Sequence, residues 1–360
     1  MDFVVALLLL YGAQCVVFLP AGTVLFTRVF RSAVASPGPG WRLLHLRPSA
    51  RALVGTRHPL TLRAGELHVR AFAHGLQGAA LGPCFDPDAA EAMEARGRWV
   101  WSGKQRCARG VTKLHALALA SYLEGLRGLS ATELQRRVES QIDAAVDLPS
   151  LRAAMTRVGD KTRWFGRLLD LYALLTLTLI PALVALYGGE PVLWRAIPVF
   201  AVLHLVTLAC FARVHRLLLP GRGGELVESL FAASLFPPLL LRAAHEFAFE
   251  SALRFHPAAV ACALLPEEAA RSVLRRELLR SRAEAQAEGA WLAGHEAAAL
   301  EGLVPATGAS LDTLFAAPCR QDPFATGYCP SCQIEYRRAA GDCLDCEVAL
   351  VAFAGEAPGV

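Results

Sequence analysis

Residues 168–187 read LLDLYALLTLTLIPALVALY, an apolar run whose single charge, Asp170, stands close to its start. A helix of this length rises about 30 Å, which is the thickness of the hydrocarbon core of a membrane. The turn Gly188–Pro191 follows, and a second apolar run extends over residues 192–212. The two runs predict a helical hairpin whose arms each cross a membrane. They place the chain among the α-helical integral membrane proteins.

A third apolar run stands near the beginning of the chain, where residues 3–26 contain no charged side chain. Asp2 precedes the run, and Arg28 and Arg31 follow it. A cleaved signal peptide has basic residues before a shorter apolar core, so this order predicts an uncleaved transmembrane anchor over residues 1–28. The composition, 54% hydrophobic, fits several membrane segments, and a net charge of +4 is too small to predict binding to nucleic acid.

Basic residues flank the hairpin on both sides, and they predict its orientation. These flanking residues are Lys161, Arg163 and Arg167 before it and Arg213, Arg216 and Arg222 after it. Only Arg195 lies close to the turn between the arms. The positive-inside rule then places both ends of the hairpin in the cytoplasm. We therefore expect a protein that is integral to the cytoplasmic (inner) membrane, with the lipid bilayer as a partner and its soluble regions facing the cytoplasm.

One further apolar run leaves the topology open. Residues 229–241 are uncharged and contain the pair Pro237-Pro238. A helix needs about 20 residues to cross the hydrocarbon core, so this shorter run predicts a re-entrant or interfacial segment. If the run did cross the bilayer, the C-terminal region would lie on the opposite side of the membrane.

Between the anchor and the hairpin, residues 42–160 have the patterns of a soluble region with mixed α/β structure. Alternating apolar and polar residues predict one β-hairpin over residues 60–70 and another around Ser102–Lys104. Helical periodicity follows over residues 114–126. Ser130-Ala-Thr-Glu133 is a capping box that begins the next helix.

The C-terminal residues contain two Cys-x-x-Cys pairs, Cys329-Pro-Ser-Cys332 and Cys343-Leu-Asp-Cys346. Four thiolates at this spacing are the ligand set of a tetrahedral structural Zn²⁺. Two disulfides, four free thiols or a rubredoxin-like iron centre are the alternatives. Because the cytoplasm is reducing and disfavours disulfides, we predict Cys329, Cys332, Cys343 and Cys346 as zinc ligands.

The residues around the two pairs predict a small β-structure. A strand leaves the first pair over residues 334–338, residues 339–342 turn the chain back, and residues 348–353 form a return strand. So short a segment buries little apolar area, and metal binding has to stabilise it.

The pattern CPxCxxEYR from residue 329, followed by CxDC from residue 343, resembles the small C-terminal zinc ribbons of many bacterial proteins. The resemblance covers residues 329–353. It implies a structural metal and a docking role, and it implies no reaction. Such ribbons often have glycine after the second and fourth cysteines, where this chain has Gln333 and Glu347.

Tyr336 and Arg337 are the residues that we predict to bind a partner protein through the ribbon. Tyrosine and arginine are the residue types that dominate the energies of protein interfaces. The alternative for Tyr336 is packing against the return strand.

Catalytic motifs are incomplete in this chain. His245-Glu246 begins the pattern His-Glu-x-x-His of zinc proteases, but Phe249 occupies the position of the second histidine. A membrane enzyme with dispersed acids and histidines near residues 225–256, Glu246 and His256 foremost, is therefore an alternative function. No catalytic residue and no small-molecule substrate is assigned.

The function that we expect is that of a membrane-anchored adaptor or regulatory protein whose zinc ribbon docks a partner. A small transporter or channel subunit that uses His204, inside the second arm of the hairpin, is a second alternative. Arginines in the linker helix predict a solvated face or contact with anionic lipid headgroups. The predicted segments are a transmembrane anchor (1–28), a cytoplasmic α/β region (42–160), the transmembrane hairpin with the re-entrant or interfacial segment (161–265), an amphipathic helical linker (266–318) and the zinc ribbon (319–360).

Overall fold

The computed structural model describes residues 6, 10–15, 24–28, 41–45, 57–64, 67–74, 92–109, 113–287, 291–346 and 348–353. This part of the chain is mostly helical and forms two compact units. Residues 1–55 and 149–254 belong to the first, which we name the helical unit. Residues 56–148 and 255–360 belong to the second, the mixed unit, which therefore includes the two cysteine pairs.

The strands and helices follow one another along the described residues. The strands are β1 (Val24–Arg28), β2 (Trp41–His45), β3 (Arg57–Ala64), β4 (Leu67–His74), β5 (Met93–Arg96), β6 (Trp99–Ser102), β7 (Gln105–Arg109), β8 (Gly327–Tyr328), β9 (Glu335–Tyr336) and β10 (Val351–Ala352). The helices are α1 (Lys113–Glu124), α2 (Ala131–Val146), α3 (Leu148–Leu174), α4 (Ile180–Tyr187), α5 (Gly189–Leu218), α6 (Gly223–Leu235), α7 (Leu240–Leu253), α8 (Pro257–Leu264), α9 (Glu267–Ala287), α10 (Trp291–Glu301) and α11 (Leu311–Phe315). A π-helical turn, Leu175–Leu179, joins α3 to α4, and 3-10 turns cover Pro237–Leu239 and Val304–Thr307.

Two helical stretches of the helical unit are long and apolar enough to cross a membrane, and they include the predicted hairpin. The first extends from Leu148 to Tyr187 and the second from Trp194 to Leu218. Gly188 ends the first with a φ of 84°, a conformation that glycine adopts without steric cost. Length and apolar composition are by themselves weak support for a membrane position, because the core helix of a soluble protein can have both.

Pro181 explains the π-helical turn between α3 and α4. Proline has no backbone N–H, so it interrupts the regular ladder of a helix. The ladder shifts by one residue there, and the N–H of Ile180 donates to the carbonyl oxygen of Leu175. The hydroxyl of Thr176 also donates to the carbonyl oxygen of Tyr172, at 2.8 Å. The helix thus passes the proline without a break.

At the beginning of the chain, the structure differs at one point from the predicted transmembrane anchor. Ala6 and residues 10–15 are helical, but Val24–Arg28 form β1, which pairs antiparallel with β2. The last residues of the predicted apolar run, 24–26, therefore lie in a strand and not in a helix. Valine, phenylalanine and threonine favour strands, and pairing with Trp41–His45 satisfies the backbone groups of β1. The other residues of the predicted anchor lie outside the described part of the chain.

The short apolar run after the hairpin forms the end of α6 and the beginning of α7. The turn Pro237–Leu239 separates the two helices, because both prolines lack the N–H that a continuous helix needs. α6 has 13 residues and so rises about 20 Å, which is less than the thickness of the hydrocarbon core. A re-entrant or interfacial position for this segment stays a prediction.

Both hairpins predicted in the soluble region are confirmed. β3 pairs with β4 along the whole length of the two strands, and β6 pairs with β7 in a three-stranded sheet that also contains β5. α1 packs against β5 and β6. The core of this layer is formed by apolar residues that include Val100, Leu119, Leu123, Leu134 and Val138.

Helix α2 connects this layer with the later residues of the mixed unit. Its capping box is confirmed: the Ser130 side chain accepts the N–H of Glu133, and the Glu133 carboxylate accepts the N–H of Ser130. α2 packs against α8 and α10, and the N–H of His256 donates to the carbonyl oxygen of Ala145 at 2.7 Å. The mixed unit is thus assembled from segments that the helical unit separates in sequence.

Candidate metal centre

The C-terminal cysteines lie around a three-stranded sheet whose central strand is β8. β8 pairs antiparallel with β9 on one side and with β10 on the other. The two predicted strands are therefore present in shorter form, but they do not pair with each other. Strand β8 is not among the strands predicted from the sequence, although Gly327 is a signal for it. A Cβ at this glycine would lie 2.6 Å from the carbonyl oxygen of Arg338, so the close approach of the two backbones requires glycine.

The first cysteine pair lies on a tight turn. The N–H of Cys329 donates to the carbonyl oxygen of Ile334 at 2.9 Å, and the N–H of Gln333 donates to that of Cys329 at 2.8 Å. Gln333 has a φ of 61°, in the left-handed region that glycine usually occupies. Its side-chain amide donates to the carbonyl oxygen of Ala316 at 3.1 Å, which helps to hold it there. The turn therefore forms without the expected glycine; Glu347, the second departure, lies outside the described residues.

The four cysteine sulfurs converge on one point. The Sγ atoms of Cys329, Cys332, Cys343 and Cys346 lie within 4.8 Å of one another, so they could bind one metal ion. All four residues are free cysteines, and the Sγ atoms of Cys332 and Cys343 are 3.7 Å apart. Four zinc–sulfur bonds of about 2.3 Å in a tetrahedron place the sulfurs about 3.8 Å apart. The cluster is consistent with a zinc ribbon.

Tyr336 lies against the cluster, and its hydroxyl donates to Sγ of Cys343 at 3.1 Å. Burial raises the pKa of the Cys343 thiol, but the hydrogen bonds from Tyr336 and from the backbone N–H groups of Asp345 and Cys346 lower this pKa to about 6. The hydrogen bond to Cys343 raises the pKa of Tyr336 to about 12, and burial raises the pKa of Cys332. Metal binding needs thiolates, and Cys343 forms one most readily.

A buried arginine of α9 connects the first cysteine pair with the rest of the mixed unit. Arg275 donates from Nε to the carbonyl oxygen of Leu314 at 2.7 Å and from Nη1 to that of Ser331 at 3.4 Å. Burial lowers its pKa, and the thiols of Cys332 and Cys329 act in the opposite direction. Four thiolates around a divalent ion carry a net charge of −2, so a cation at this place favours the loaded site. The sequence predicts a solvated or lipid-facing position for Arg275, but the residue is only 6% exposed.

Two other arginines of α9 have partners in neighbouring segments of the mixed unit, and Arg276 is exposed, as the prediction of a solvated face requires. Arg271 donates from Nε and Nη2 to the carbonyl oxygen of Thr307, at 3.0 and 2.9 Å. Arg282 binds the carboxylate of Glu301 at 2.6 Å. Carbonyl groups and carboxylates of neighbouring segments are therefore partners of these guanidinium groups, and periodicity alone could not reveal them.

His256, a candidate of the dispersed site, is buried and caps α8. Its Nδ1 accepts the N–H of Ala258 at 3.0 Å, and its Nε2 lies 3.1 Å from Oε1 of Glu296. Arg280 binds both Glu296 and Glu277, at 3.3 and 2.6 Å. Burial raises the pKa of Glu277, but the charges of Arg280 and His256 outweigh this effect and hold the pKa below its usual value. The four side chains form a hydrogen-bonded network that connects the start of α8 with α9 and α10.

The remaining candidates of the dispersed site, and His204 of the transporter alternative, belong to the helical unit. Glu246 is exposed and belongs to the helical unit, whereas His256 belongs to the mixed unit. Glu225 and Glu228 lie in the first half of α6. His204 lies in α5, where its ring is 6.4 Å from that of Tyr172, measured between centroids.

Arg337 lies on the exposed surface of the ribbon. Its side chain is 72% exposed, and its Nε donates to Oδ2 of Asp322 at 2.9 Å. The guanidinium group also lies over the ring of Phe324, 5.4 Å from the centroid, and Phe324 is itself 69% exposed. The hydrogen bond from Arg337 lowers the pKa of Asp322. Tyr336, in contrast, is half-buried against the cysteines, and the binding of a partner by either residue stays a prediction.

No family model matches the chain, and the comparisons with curated proteins and with solved structures give no match.

Proposed function

We propose that this protein is a membrane-anchored adaptor or regulator whose C-terminal zinc ribbon docks a partner protein. The observation that carries the proposal is the convergence of four cysteine sulfurs within 4.8 Å. Four thiolates complete the coordination sphere of Zn²⁺, so no position remains for water or substrate. The metal then has a structural role, and the function lies in the surface that it organises.

Zinc is the metal that this ligand set favours. Four sulfur ligands in a tetrahedron select zinc or an iron centre, and the first is the commoner structural ion. Elemental analysis of the purified protein separates the two possibilities. We expect about one zinc per chain, in line with a single four-cysteine site. Iron in its place would contradict the proposed cofactor.

The exposed apolar surface of the helical unit supports the membrane position. In the helix from Trp194 to Leu218, only 17% of the most apolar stretch is buried within the protein. Trp194, Val202 and Leu205 are 70%, 63% and 65% exposed. A core helix of a soluble protein buries such side chains, whereas lipid is a favourable solvent for them. We further propose that the ribbon faces the cytoplasm, since the positive-inside rule favours a cytoplasmic side for the basic flanks of the hairpin.

The docking surface that we propose consists of Asp322, Phe324 and Arg337. An exposed aromatic ring beside an arginine is the kind of anchor that contributes most to protein interfaces. The carboxylate of Asp322 holds the guanidinium group in place, so the surface is ordered before a partner arrives.

Affinity purification of the full-length protein from membranes tests the docking surface. The variant Arg337→Glu reverses the charge beside Phe324 and places two carboxylates next to each other. We expect it to abolish recovery of the partner while the zinc content stays near one per chain. Arg98→Glu, an equal change of charge at an exposed position in the β5–β6 turn, is the control and should recover the partner normally.

A cellular phenotype distinguishes the adaptor from the membrane enzyme. Glu246 is exposed, so Glu246→Gln leaves the fold intact. If the protein is an adaptor, cells with Glu246→Gln should behave like cells with the unchanged protein, and cells with Arg337→Glu should lose its function. The reverse result would replace the adaptor by an enzyme that uses Glu246.

A further inference from the structure

The helical unit contains a cavity of about 700 Å³ between the two candidate membrane helices. Ile180 and Val184 line it from the first helix, and Phe200 and Ala201 line it from the second. The volume lies within the range of about 300–1,000 Å³ that small-molecule sites occupy. None of the described residues that line the cavity is charged. The cavity is therefore suited to an uncharged, largely apolar ligand.

His204 lines the same cavity and has an unsatisfied polar edge. Both of its ring nitrogens are buried, and neither has a hydrogen-bond partner in the described part of the chain. A neutral imidazole has one donor and one acceptor, and a buried polar group without a partner is unfavourable. The preferences for rotation about the Cβ–Cγ bond of histidine are broad, so a rotated ring can present a nitrogen to a ligand in the cavity.

Two further features indicate that this cavity is a binding site. The hydroxyls of Tyr11 and Tyr172 bond to each other at its wall, whereas neither nitrogen of the imidazole has a partner among the described residues. Thr176 lines the cavity from the π-helical turn, and such turns are frequent at functional sites.

We infer that this cavity binds a single-chain lipid whose head is an uncharged hydroxyl, a long-chain alcohol in chemical class. The hydrocarbon chain packs among the apolar side chains of the two helices. The hydroxyl exchanges a hydrogen bond with His204. The ligand reaches the cavity from the bilayer, since both walls belong to helices that are long and apolar enough to lie in it.

Comparison with a neighbouring cavity supports an uncharged head group for the proposed lipid. This second cavity, of about 600 Å³, shares Ile180, Ala196 and Phe200 with the first but is lined by Arg195 in place of His204. An anionic lipid head is attracted to the guanidinium group of Arg195. The cavity at His204 has no such cation among its described lining residues, so an alcohol is the better fit there.

Photo-crosslinking of the full-length protein in detergent micelles tests the inference. The probe is hexadecanol that carries a diazirine, and excess unlabelled hexadecanol is the competitor. We expect saturable labelling that the competitor removes, with the label on peptides that line the His204 cavity. Diazirine-bearing palmitate, which is anionic, should label these peptides at least fivefold less.

Two matched variants locate the site. Ala201→Trp fills the cavity and should reduce the saturable labelling at least tenfold. Val202→Trp adds the same side chain at the next residue, which is 63% exposed and does not line the cavity, and should label like the unchanged protein. His204→Leu keeps the apolar lining and should reduce labelling by the alcohol several-fold, while labelling by a diazirine-bearing alkane of equal length stays the same.

Binding of the alcohol rests on the membrane position in the proposed function but not on partner docking, because all described lining residues belong to the helical unit. Labelling that the competitor does not remove would overturn it, and so would equal labelling of Ala201→Trp and Val202→Trp. If Ala201→Trp fails to fold, the competition experiment and the labelling of His204→Leu still test whether the cavity binds the alcohol. An unchanged ratio of alcohol to alkane labelling in His204→Leu would exclude the hydrogen bond to the imidazole.

Discussion

The hydroxyl of Tyr336 donates to a cysteine sulfur, and this contact changes the role expected of the residue. A tyrosine that binds a partner presents its ring to solvent, whereas Tyr336 is half-buried and directed at Cys343. Hydrogen bonds to metal ligands orient them and tune their basicity. We therefore expect Tyr336 to support the metal centre, and the partner-binding surface to depend on Arg337.

The variant Tyr336→Phe tests this role. It keeps the ring and removes the hydrogen bond to Cys343, and we expect the zinc affinity to fall about tenfold. Competition with a chromophoric chelator measures the affinity in the full-length protein. Tyr328→Phe removes a hydroxyl one residue before Cys329 and should leave the affinity unchanged, since Tyr328 packs through its ring against Phe353. Equal affinities for all three proteins would contradict the supporting role of Tyr336.

Helix α9 is the element that supports the ribbon. Arg275 extends from it to two carbonyl groups, one in α11 and one between the first two cysteines. The side chain is 6% exposed, so the carbonyls that it binds have little access to water. An unsatisfied buried carbonyl is costly, and the guanidinium group is therefore a structural part of the metal centre.

Arg275→Leu is expected to destabilise the mixed unit by about 2 kcal/mol, because the buried carbonyl groups lose their partner. Chelator-driven release of zinc should be faster in this variant. Chemical denaturation and the rate of zinc release measure the two effects. Arg276→Leu is the control, since the neighbouring side chain is 53% exposed, and it should change neither quantity appreciably. Similar effects of both variants would show that Arg275 has no special function.

On the scale of the whole molecule, the four-cysteine cluster belongs to the mixed unit only. The ribbon strands β8, β9 and β10 have two residues each, too few to form a stable sheet without the metal. The apolar packing and long helices of the helical unit do not involve the cysteine cluster.

Cys332→Ser should therefore release zinc and unfold the tail after residue 319 while the helical unit stays folded. Elemental analysis, limited proteolysis and circular dichroism measure these outcomes. Cys319→Ser alters an exposed thiol outside the four-sulfur cluster and should retain zinc. If Cys332→Ser keeps its zinc, or if it loses its helical content as well, then the helical unit does not fold independently of the cysteine cluster as predicted.

The topology is a second prediction for the whole molecule. Reporter fusions at Gly40, Gly189 and Gly355 should report inside, outside and inside, because the positive-inside rule predicts that the basic flanks of the hairpin face the cytoplasm. An outside signal at Gly355 would mean that residues 229–241 cross the bilayer. The ribbon would then lie in an oxidising compartment, and the argument for zinc over disulfides would fail.

The amino-acid sequence was enough to predict features whose physics is local. The four cysteines, the two hairpins and the capping box depend on residues a few positions apart, and short-range spacing decides ligand geometry, strand alternation and helix initiation. The apolar runs of the hairpin likewise predict long helices, because their length and composition are properties of one segment.

Only the tertiary structure decided which distant residues meet. Arg275 lies 39 and 56 positions from its two carbonyl partners, and His256 lies 40 positions from Glu296. Strand β8 and the cavity at His204 also arise from segments that local patterns do not connect. Periodicity predicts which face of a helix or strand is apolar. The partner of each side chain depends on which distant segment packs against that face, and the packing of the whole unit determines this.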